Sequence, residues 1–111
     1  MDVKGAYLNG YLQERVYMCQ PDGYDDGTNC ICHLVKTLYG LKQAVREWNK
    51  VLDCKLKGIG FIPLKSDSCT YIWCNGNDLE IITVWVNDLL LFTTSDKLMT
   101  SLKSISMPFL I

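Results

Sequence analysis

The sequence lacks a basic surplus, a long apolar run and a secretory signal. Its 11 lysines and arginines are balanced by 12 acidic residues, for a net charge of −1. Binding of nucleic acid over a whole surface requires an excess or a cluster of basic residues, so any such contact must rest on a local site or on partner segments. The apolar runs fall far short of the roughly 20 residues that span a membrane. No basic n-region or apolar h-region opens the chain, which predicts an intracellular protein that is not secreted and has no membrane contact.

The six cysteines do not indicate a disulfide framework or a metal site. Their even number keeps disulfides formally open, but without a secretory signal, reduced core cysteines are expected. Cys30, Cys32 and His33 suggest zinc at first sight. Their spacing lacks the usual gap between paired zinc ligands, and no second pair follows at finger spacing. We therefore predict free thiols and no bound zinc.

Length and hydrophobic content predict one small folded domain. With 111 residues, 49% of them hydrophobic, the chain can bury roughly two thirds of the surface that its unfolded form exposes. Disorder is therefore not expected. No repeat, low-complexity segment or linker divides the chain.

The clearest local pattern is a helix from about Lys42 to Lys57. Apolar residues recur at helical spacing on one side, and they are Val45, Trp48, Leu52, Leu56 and Ile59. Lys42, Arg46 and Lys50 follow one another at intervals of four on another face. Gly58 is placed to cap the end of the helix.

The remaining segments predict short strands and one terminal helix. The β-prone runs are 16–20, 30–35, 70–74, 81–86 and 89–92, and the terminal helix is 95–104, before Pro108. Asn87 and Asp88 separate the last two runs, which predicts a tight hairpin with these residues as its turn. Since both arms are apolar, the hairpin is expected deep in a sheet. This order predicts an α+β fold, an antiparallel sheet with helices on one face.

Three stretches carry a resemblance to a known family. Residues 2–10 read DVKGAYLNG, residues 38–48 read LYGLKQAVREW, and residues 85–88 read WVND. Copia-type LTR retrotransposon reverse transcriptases have similar patterns in the same order: Asp-Val-Lys-x-Ala-Phe-Leu-Asn-Gly, Leu-Tyr-Gly-Leu-Lys-Gln-Ala-Pro-Arg-x-Trp and Tyr-Val-Asp-Asp. The chain resembles this family from residue 2 to about residue 103.

The resemblance implies a fold and a reaction. Residues 1–111 would form part of a polymerase palm with a ferredoxin-like core, and the N-terminal part of the fingers, the thumb and RNase H are expected outside them. Family members are RNA-directed DNA polymerases, which transfer dNTPs onto a primer 3′-hydroxyl with two Mg²⁺ ions. The implied partners are an RNA or DNA template–primer, a dNTP and the remaining domains of a Pol polyprotein. The implied location is the cytoplasm or a virus-like particle.

The resemblance also implies roles for individual residues. The catalytic positions are Asp2, Asn87 and Asp88. The implied metal ligands are Asp2, the Val3 carbonyl and Asp88, which fit the preference of Mg²⁺ for oxygen. The implied substrate-binding residues are Tyr7, Gly40, Lys42, Gln43 and Arg46.

One departure from the family pattern bears on activity. Asn87 stands where the family has its first hairpin aspartate. An amide is neutral, and it carries an NH₂ donor where a carboxylate has only acceptors. We therefore expect this copy to be catalytically inactive.

Simpler interpretations stay open beside these. Asn87 and Asp88 alone are an ordinary turn signal, basic helix residues often form a solvated face, and Tyr7 could pack in the core. The alternative function is a host-domesticated, non-enzymatic ferredoxin-like binding module. An exposed aromatic pair on one sheet face would favour that alternative, and none is visible in the sequence.

Overall fold

The computed structural model describes residues 1–105, so the expected stop at Pro108 lies outside the described residues. A short 3-10 helix at Ala6–Asn9 precedes the regular elements. These are, in chain order, β1 (Tyr11–Cys19), β2 (Ile31–Lys36), α1 (Ala44–Gly58), β3 (Ile62–Pro63), β4 (Thr70–Asn75), β5 (Asp78–Trp85), β6 (Asp88–Thr93) and α2 (Asp96–Ile105). The predicted α+β class, with antiparallel strands and two helices, is confirmed. Neither helix is long and apolar enough to cross a bilayer, within the part of the chain that is described.

The strands form two sheets where the sequence predicted one. β1 pairs with β2, and β3, β4, β5 and β6 follow one another in a separate antiparallel sheet of four strands. Two stretches were not predicted as strand: β3, which has two residues, and the first half of β1, where the pairing is irregular between Tyr11 and Val16. The prediction that the 81–92 hairpin lies deep in a sheet is partly wrong. β5 is internal, whereas β6 lies at the sheet edge.

The core lies between the two helices and one face of the four-stranded sheet, which we call the inner face. Ile82 of β5 is fully buried, and Trp48 of α1 and Leu102 of α2 belong to the same buried cluster. The full cluster is Val3, Ala6, Trp48, Leu52, Leu56, Phe61, Tyr71, Ile82, Val84, Leu89 and Leu102. Val45 and Ile59 of the predicted apolar stripe lie at its rim, 45% and 38% exposed. Both helices thus cover the same face, as the sequence predicted.

The opposite face of this sheet, the outer face, is apolar and exposed. Ile62, Ile72, Ile81 and Phe92 are register partners and form one row across all four strands. Ile62 is 69% exposed and Phe92 is 54% exposed, as is Leu90 at 57%. The expectation of a hairpin buried on both faces is therefore wrong for its outer face, because no layer of residues 1–105 covers that side.

The predicted helix is confirmed with shifted ends. Gly58 is the last residue of α1 and not its cap. The helix is closed by Gly60, at φ 99°, whose amide donates to the Lys57 carbonyl at 3.0 Å. The Phe61 amide donates to the Leu56 carbonyl at 3.0 Å. These two bonds form a Schellman motif, which needs glycine at the left-handed position.

The cysteines lie outside the core, contrary to the expectation from the sequence. All six are free thiols, and Cys32 is half-buried while the other five are exposed. For the cysteines in strands, Cys19, Cys32 and Cys74, the physical reason is the architecture: the two-stranded sheet and the outer face lack a second layer among the described residues, so small apolar side chains there stay accessible. The absence of zinc stays a prediction.

Candidate active site

The start of the chain lies beside the β5–β6 hairpin. Asp2 forms an isolated antiparallel bridge with Asp88, the first residue of β6. The amides of Val3 and Leu89 donate to carbonyls of the opposite segment at 2.8 and 2.6 Å. These bonds flank the bridge, so Asp2 and Asp88 form a non-hydrogen-bonded pair. In such pairs the side chains lie closest, with Cα atoms about 4.5 Å apart.

Strand alternation turns both carboxylates to the outer face. Val3 is 1% exposed in the core, so the neighbouring Asp2 points the other way. In the same manner Leu89 is 2% exposed, while Asp88 is exposed. Trp85, the register partner of Asp88, is 78% exposed on that face. The two acids therefore stand side by side and open to solvent on a support that is buried.

Asn87 completes this group of three side chains, which we call the acid group. Its side-chain amide donates a hydrogen bond to an Asp2 carboxylate oxygen at 2.5 Å. The amide takes this orientation because its own carbonyl oxygen, turned toward Asp2, would place two acceptors face to face. The resemblance implies a third carboxylate at position 87. The site has an amide donor there, and this donor is already hydrogen-bonded to Asp2.

The hairpin turn lies one residue earlier than predicted. Trp85 pairs with Asp88, so Val86 and Asn87 form the turn and Asp88 belongs to β6. Val86 has φ 59°, a conformation that is strained for a β-branched residue. Trp48 of α1 stabilises the turn by donating its Nε1–H to the Val86 carbonyl at 2.9 Å. The tip that carries Asn87 is therefore tied to the core helix.

We expect Val86→Gly to stabilise the chain by about 1 kcal/mol, because glycine adopts a positive φ without a Cβ clash. Val86 is 42% exposed, so the change removes little buried surface. Val35→Gly is the matched control, since Val35 is 62% exposed in β2 and its φ is not positive. That control should destabilise the chain by about 0.5–1 kcal/mol. Urea denaturation of both variants measures the two effects, and equal losses would contradict the strain at Val86.

The predicted substrate-binding residues at the start of α1, namely Lys42, Gln43 and Arg46, do not contact the acid group. Gln43 donates its Nε2–H to Glu14 Oε1 at 3.2 Å. Arg46 lies 3.7 Å from Glu14 and 3.0 Å from Glu47. Lys42 is exposed and forms no ion pair within residues 1–105. The structure thus gathers these three residues around Glu14, in a groove separate from Asp2.

Glu47 is a buried charged residue that the sequence did not predict. It is 3% exposed and lies 2.9 Å from the Lys50 ammonium and 3.0 Å from Arg46. The hydrogen bond from Lys50 lowers the pKa of Glu47, burial opposes this shift, and Arg46 adds to it. Gly10 permits the close packing, because a Cβ there would lie 3.1 Å from the Glu47 Cβ. The sequence pattern that could have indicated this ion pair is the i,i+3 spacing between Glu47 and Lys50. Glu47 partly neutralises the basic face of α1.

Tyr7 and Gly40 lie before α1. Tyr7 is half-buried in the 3-10 helix, where it packs against the core cluster. Its ring meets Tyr39 edge-on, with centroids 5.1 Å apart, and its carbonyl accepts a hydrogen bond from the Thr37 hydroxyl. Gly40 has φ 91°, which L side chains rarely adopt. Packing therefore accounts for the position of Tyr7, and its role toward a nucleotide stays a prediction.

A cavity of about 590 Å³ lies between α1 and the start of β4. Lys42 and Arg46 line one side, and Tyr71 and Val84 supply apolar surface. Burial and a hydrogen bond to Asp53 raise the pKa of Tyr71 to about 12. The members of the acid group are not among the lining residues, so this cavity and the acid group are distinct places on the molecule.

The acid group suits one hard cation better than two. Mg²⁺ in proteins is typically held by one or two carboxylates together with substrate phosphates, and Asp2 and Asp88 supply two. No cluster of three His, Cys, Asp or Glu side chains suited to a metal occurs among the described residues. The donor set therefore fits a single ion and lacks a third anion that could bridge a pair.

Comparison with known proteins decides the family. The family model described as Reverse transcriptase (RNA-dependent DNA polymerase) matches residues 1–108. The chain belongs to this family. It is 37% identical over 106 residues to the retrovirus-related Pol polyprotein from transposon TNT 1-94 of Nicotiana tabacum, a match that covers 93% of this chain and 8% of that protein. It is 41% identical over 93 residues to the corresponding polyprotein from transposon RE1 of Arabidopsis thaliana, covering 82% of this chain and 6% of that protein.

The relation extends to yeast. The reverse transcriptase segment is 30% identical over 110 residues to the truncated transposon Ty1-A Gag-Pol polyprotein of Saccharomyces cerevisiae, covering 93% of this chain and 9% of that protein. The copia-type resemblance is thereby confirmed. The segment spans less than a tenth of the length of each of these three relatives. No solved structure matches it.

Proposed function

We propose that this reverse transcriptase segment is part of a polymerase palm, and that this copy is catalytically inactive. The family reaction would be two-metal transfer of dNTPs onto a primer 3′-hydroxyl. The observation that carries both parts is the acid group, with Asp2 beside Asp88 and the Asn87 amide bonded to Asp2. The paired acids support the polymerase ancestry, and the amide supports the loss of catalysis.

The architecture supports a palm with a ferredoxin-like core over residues 1–111. Both helices cover one face of the four-stranded sheet, and the acids point to the other. A polymerase needs this separation, because the helices hold the strands rigid while the open face receives substrate. The N-terminal part of the fingers, the thumb and RNase H would then belong to other stretches of a Pol polyprotein.

The chemistry of the acid group supports impaired metal binding. Mg²⁺ held by Asp2, Asp88 and the Val3 carbonyl would neutralise phosphate charge and activate the primer hydroxyl. Asn87 brings no negative charge to this place, and its amide occupies an Asp2 oxygen that would otherwise serve as a ligand. Asp2 and Asp88 are left to attract the cation alone.

The remaining roles follow the family pattern as proposals. Tyr7 would lie under the nucleotide sugar, and Gly40 and Gln43 would border the incoming dNTP and template. Lys42 and Arg46 would contact phosphates, which is the role that basic side chains have along nucleic acids. The partners would be a template–primer of RNA or DNA and the other Pol domains. The place would be the cytoplasm or a virus-like particle.

Titration with Mn²⁺ tests the metal proposal without polymerase activity. We expect Mn²⁺ to broaden the amide NMR signals around Asp2 and Asp88 at a concentration about tenfold lower in Asn87→Asp than in the unmodified chain, a difference of about 1.4 kcal/mol. Asn77→Asp is the matched control, since Asn77 is exposed in the turn at the other end of β5. Equal affinities with and without Asn87→Asp would contradict impairment by the amide. Broadening that never centres on Asp2 would contradict the metal site itself.

One observation favours the alternative of a non-enzymatic binding module. Tyr17 and His33 are exposed on the two-stranded sheet, with ring centroids 5.1 Å apart, an aromatic pair that was not visible in the sequence. Bases stack on such pairs, but the adjoining loop carries Asp25 and Asp26, which repel phosphate. A single-stranded RNA titration tests the RNA-binding form of this alternative: binding that Tyr17→Ala removes would support it, and no binding, or binding that Tyr17→Ala leaves unchanged, would count against it.

A further inference from the structure

Thr37 is a buried polar residue to which the proposed function gives no role. It follows β2 directly and is fully buried. Its hydroxyl donates to the Tyr7 carbonyl and lies 3.4 Å from the Gly10 carbonyl, and its amide donates to the Gly10 carbonyl at 2.9 Å. Tyr7 and Gly10 stand at the end of the 3-10 helix, where carbonyl groups lack partners within the helix. Thr37 supplies those partners.

The contact is close because Gly10 has no side chain. A Cβ on Gly10 would lie 2.7 Å from the Thr37 hydroxyl oxygen, so any other residue there would push the hydroxyl aside. A hydroxyl buried away from water depends on acceptors of this kind. Thr37 is therefore fitted against residues 7–10, although 30 positions separate it from Tyr7.

The residues that follow Thr37 extend this contact toward the proposed substrate site. The Tyr39 ring meets the Tyr7 ring edge-on, with centroids 5.1 Å apart and planes at 67°, an arrangement that aromatic pairs prefer. Gly40 comes next, in the left-handed conformation at φ 91°. Residues 37–39 thus hold Tyr7 by its backbone and by its ring, and they join it to Gly40.

We propose that Thr37 is a positioning residue of the nucleotide site, which fixes the Tyr7 ring and thereby sets how strongly deoxynucleotides are selected over ribonucleotides. This inference rests on the proposed function, in which Tyr7 lies under the nucleotide sugar. A ring placed against the sugar leaves no room for a 2′-hydroxyl, and a misplacement of about 1 Å can change a rate about 100-fold. Thr37 is 0% exposed, so it acts through Tyr7 and not by touching the nucleotide.

NMR signals of the two rings in the 111-residue chain test the positioning directly. Thr37→Val removes the hydroxyl donor, so the ring-proton shifts of Tyr7 and Tyr39 should change and the NOE between the rings should weaken. Thr37→Ser keeps the donor and should restore both. Thr93→Val is the matched control, since the Thr93 hydroxyl also donates to a backbone carbonyl, that of Ser95 at 2.9 Å. Unmoved ring signals in Thr37→Val would overturn the proposal, because a residue that only packs would lower stability and leave the rings in place.

The unmodified chain supplies a measurement that decides the matter even if Thr37→Val fails to fold. A hydroxyl that is buried and bonded to the Tyr7 carbonyl should exchange its proton slowly enough to give an NMR signal. That signal should show NOEs to protons of Leu8, the residue after the carbonyl. A Thr37 hydroxyl that exchanges rapidly, or that shows no NOE to Leu8, would overturn the proposal.

Nucleotide selection in an active context tests the functional consequence. Residues 1–105 of this chain, with Asn87→Asp, replace the corresponding segment of an intact family relative, and primer extension with dATP and with ATP gives the ratio of the two kcat/KM values. Thr37→Val should lower this ratio at least about tenfold, Thr37→Ser should restore it, and Thr93→Val should leave it unchanged. A role in packing alone would slow extension with both nucleotides equally, and an unchanged ratio in Thr37→Val would overturn the proposal.

Tyr7→Ala in the same graft separates a failure of this inference from a failure of the proposed function. If Tyr7→Ala lowers the ratio and Thr37→Val does not, Tyr7 selects the sugar and Thr37 does not position it. If neither variant changes the ratio, the role proposed for Tyr7 is wrong, and the role of Thr37 falls with it. A lower ratio in both variants, with rescue by Thr37→Ser, supports the two roles together.

Discussion

Primer extension on an RNA template should be at least about 100-fold slower when an intact family relative carries asparagine, and not aspartate, at the position of Asn87. The isolated chain should extend no primer with either residue. The expected loss is large because asparagine removes a negative charge from the site and also binds the neighbouring Asp2 carboxylate. Two Mg²⁺ ions about 4 Å apart repel strongly, and anionic ligands must offset that repulsion.

The geometry of the acid group adds a second cause. Asn87 donates to Asp2 at 2.5 Å, so the amide draws an Asp2 oxygen toward itself and away from a cation. A displacement of about 1 Å at a reacting centre can cost about 100-fold in rate. Loss of charge at position 87 and a shift of the Asp2 carboxylate toward the amide would therefore act in the same direction.

Alanine at the same position separates these two causes. It removes the carboxylate as asparagine does, but it has no donor for Asp2. If the missing charge dominates, the alanine and asparagine grafts should be equally slow. If the donor adds to the defect, the alanine graft should be faster than the asparagine graft. An asparagine graft within tenfold of the aspartate enzyme would refute the metal argument. Extension by the isolated chain would refute the expectation that fingers and thumb are required.

Turn residues and hydrophobic spacing in the sequence were sufficient to predict most of the helices and strands. The turn before β5 is marked by Gly76, which takes φ 61°, and the strands on either side begin and end within a few residues of their predicted bounds. The 3.6-residue spacing of Trp48, Leu52 and Leu56 located α1. Burial was less predictable, because Leu90 and Cys74 are apolar yet exposed where no second layer covers them.

The hairpin turn shows why local chemistry was insufficient at the site. Asn87 and Asp88 both tolerate the turn conformation, so the sequence favoured them over a β-branched residue. In the structure the Val3 amide donates to the Asn87 carbonyl, and Trp48 donates to the Val86 carbonyl. These contacts between distant parts of the chain outweigh the local preference and place Asp88 in the strand.

The acid group was predictable only in part. The proximity of Asp2 and Asp88 was predicted from the family resemblance, since neither periodicity nor spacing relates two residues so far apart in the sequence. The hydrogen bond from Asn87 to Asp2 depends on that proximity and on the orientation of an amide, and no sequence pattern encodes either. Glu47 was missed because a charged residue on a helix is exposed by default, whereas Gly10 makes room for it here.

Replacing Trp48 with alanine should have the largest effect on stability, a loss of about 3–5 kcal/mol in the free energy of unfolding. Trp48 is 1% exposed and belongs to the core cluster, so the change leaves a cavity against the inner face of the sheet. It also removes the hydrogen bond to the Val86 carbonyl. Against a total stability of about 5–15 kcal/mol for a domain, such a loss leaves a substantial unfolded population.

Trp85→Ala is the matched control, because the residue type and the substitution are the same and only the environment differs. Trp85 is 78% exposed on the outer face, and exposed substitutions usually change stability by less than about 0.5 kcal/mol. Urea denaturation at a protein concentration below that of any self-association compares the two variants. Similar midpoints for Trp48→Ala and Trp85→Ala would contradict the placement of the core between α1 and the inner face.

Trp48→Phe separates packing from the hydrogen bond. Phenylalanine keeps most of the buried ring and leaves the Val86 carbonyl without its donor; because Val86 is exposed and water can reach it, the lost hydrogen bond should cost only about 0.5–1.5 kcal/mol. Because the bond anchors the turn that carries Asn87, the amide signals of Val86, Asn87 and Asp88 should shift in Trp48→Phe while those of β4 stay in place. If stability falls and the turn signals do not move, Trp48 supports the core alone. Movement of those signals would show that α1 also positions the acid group.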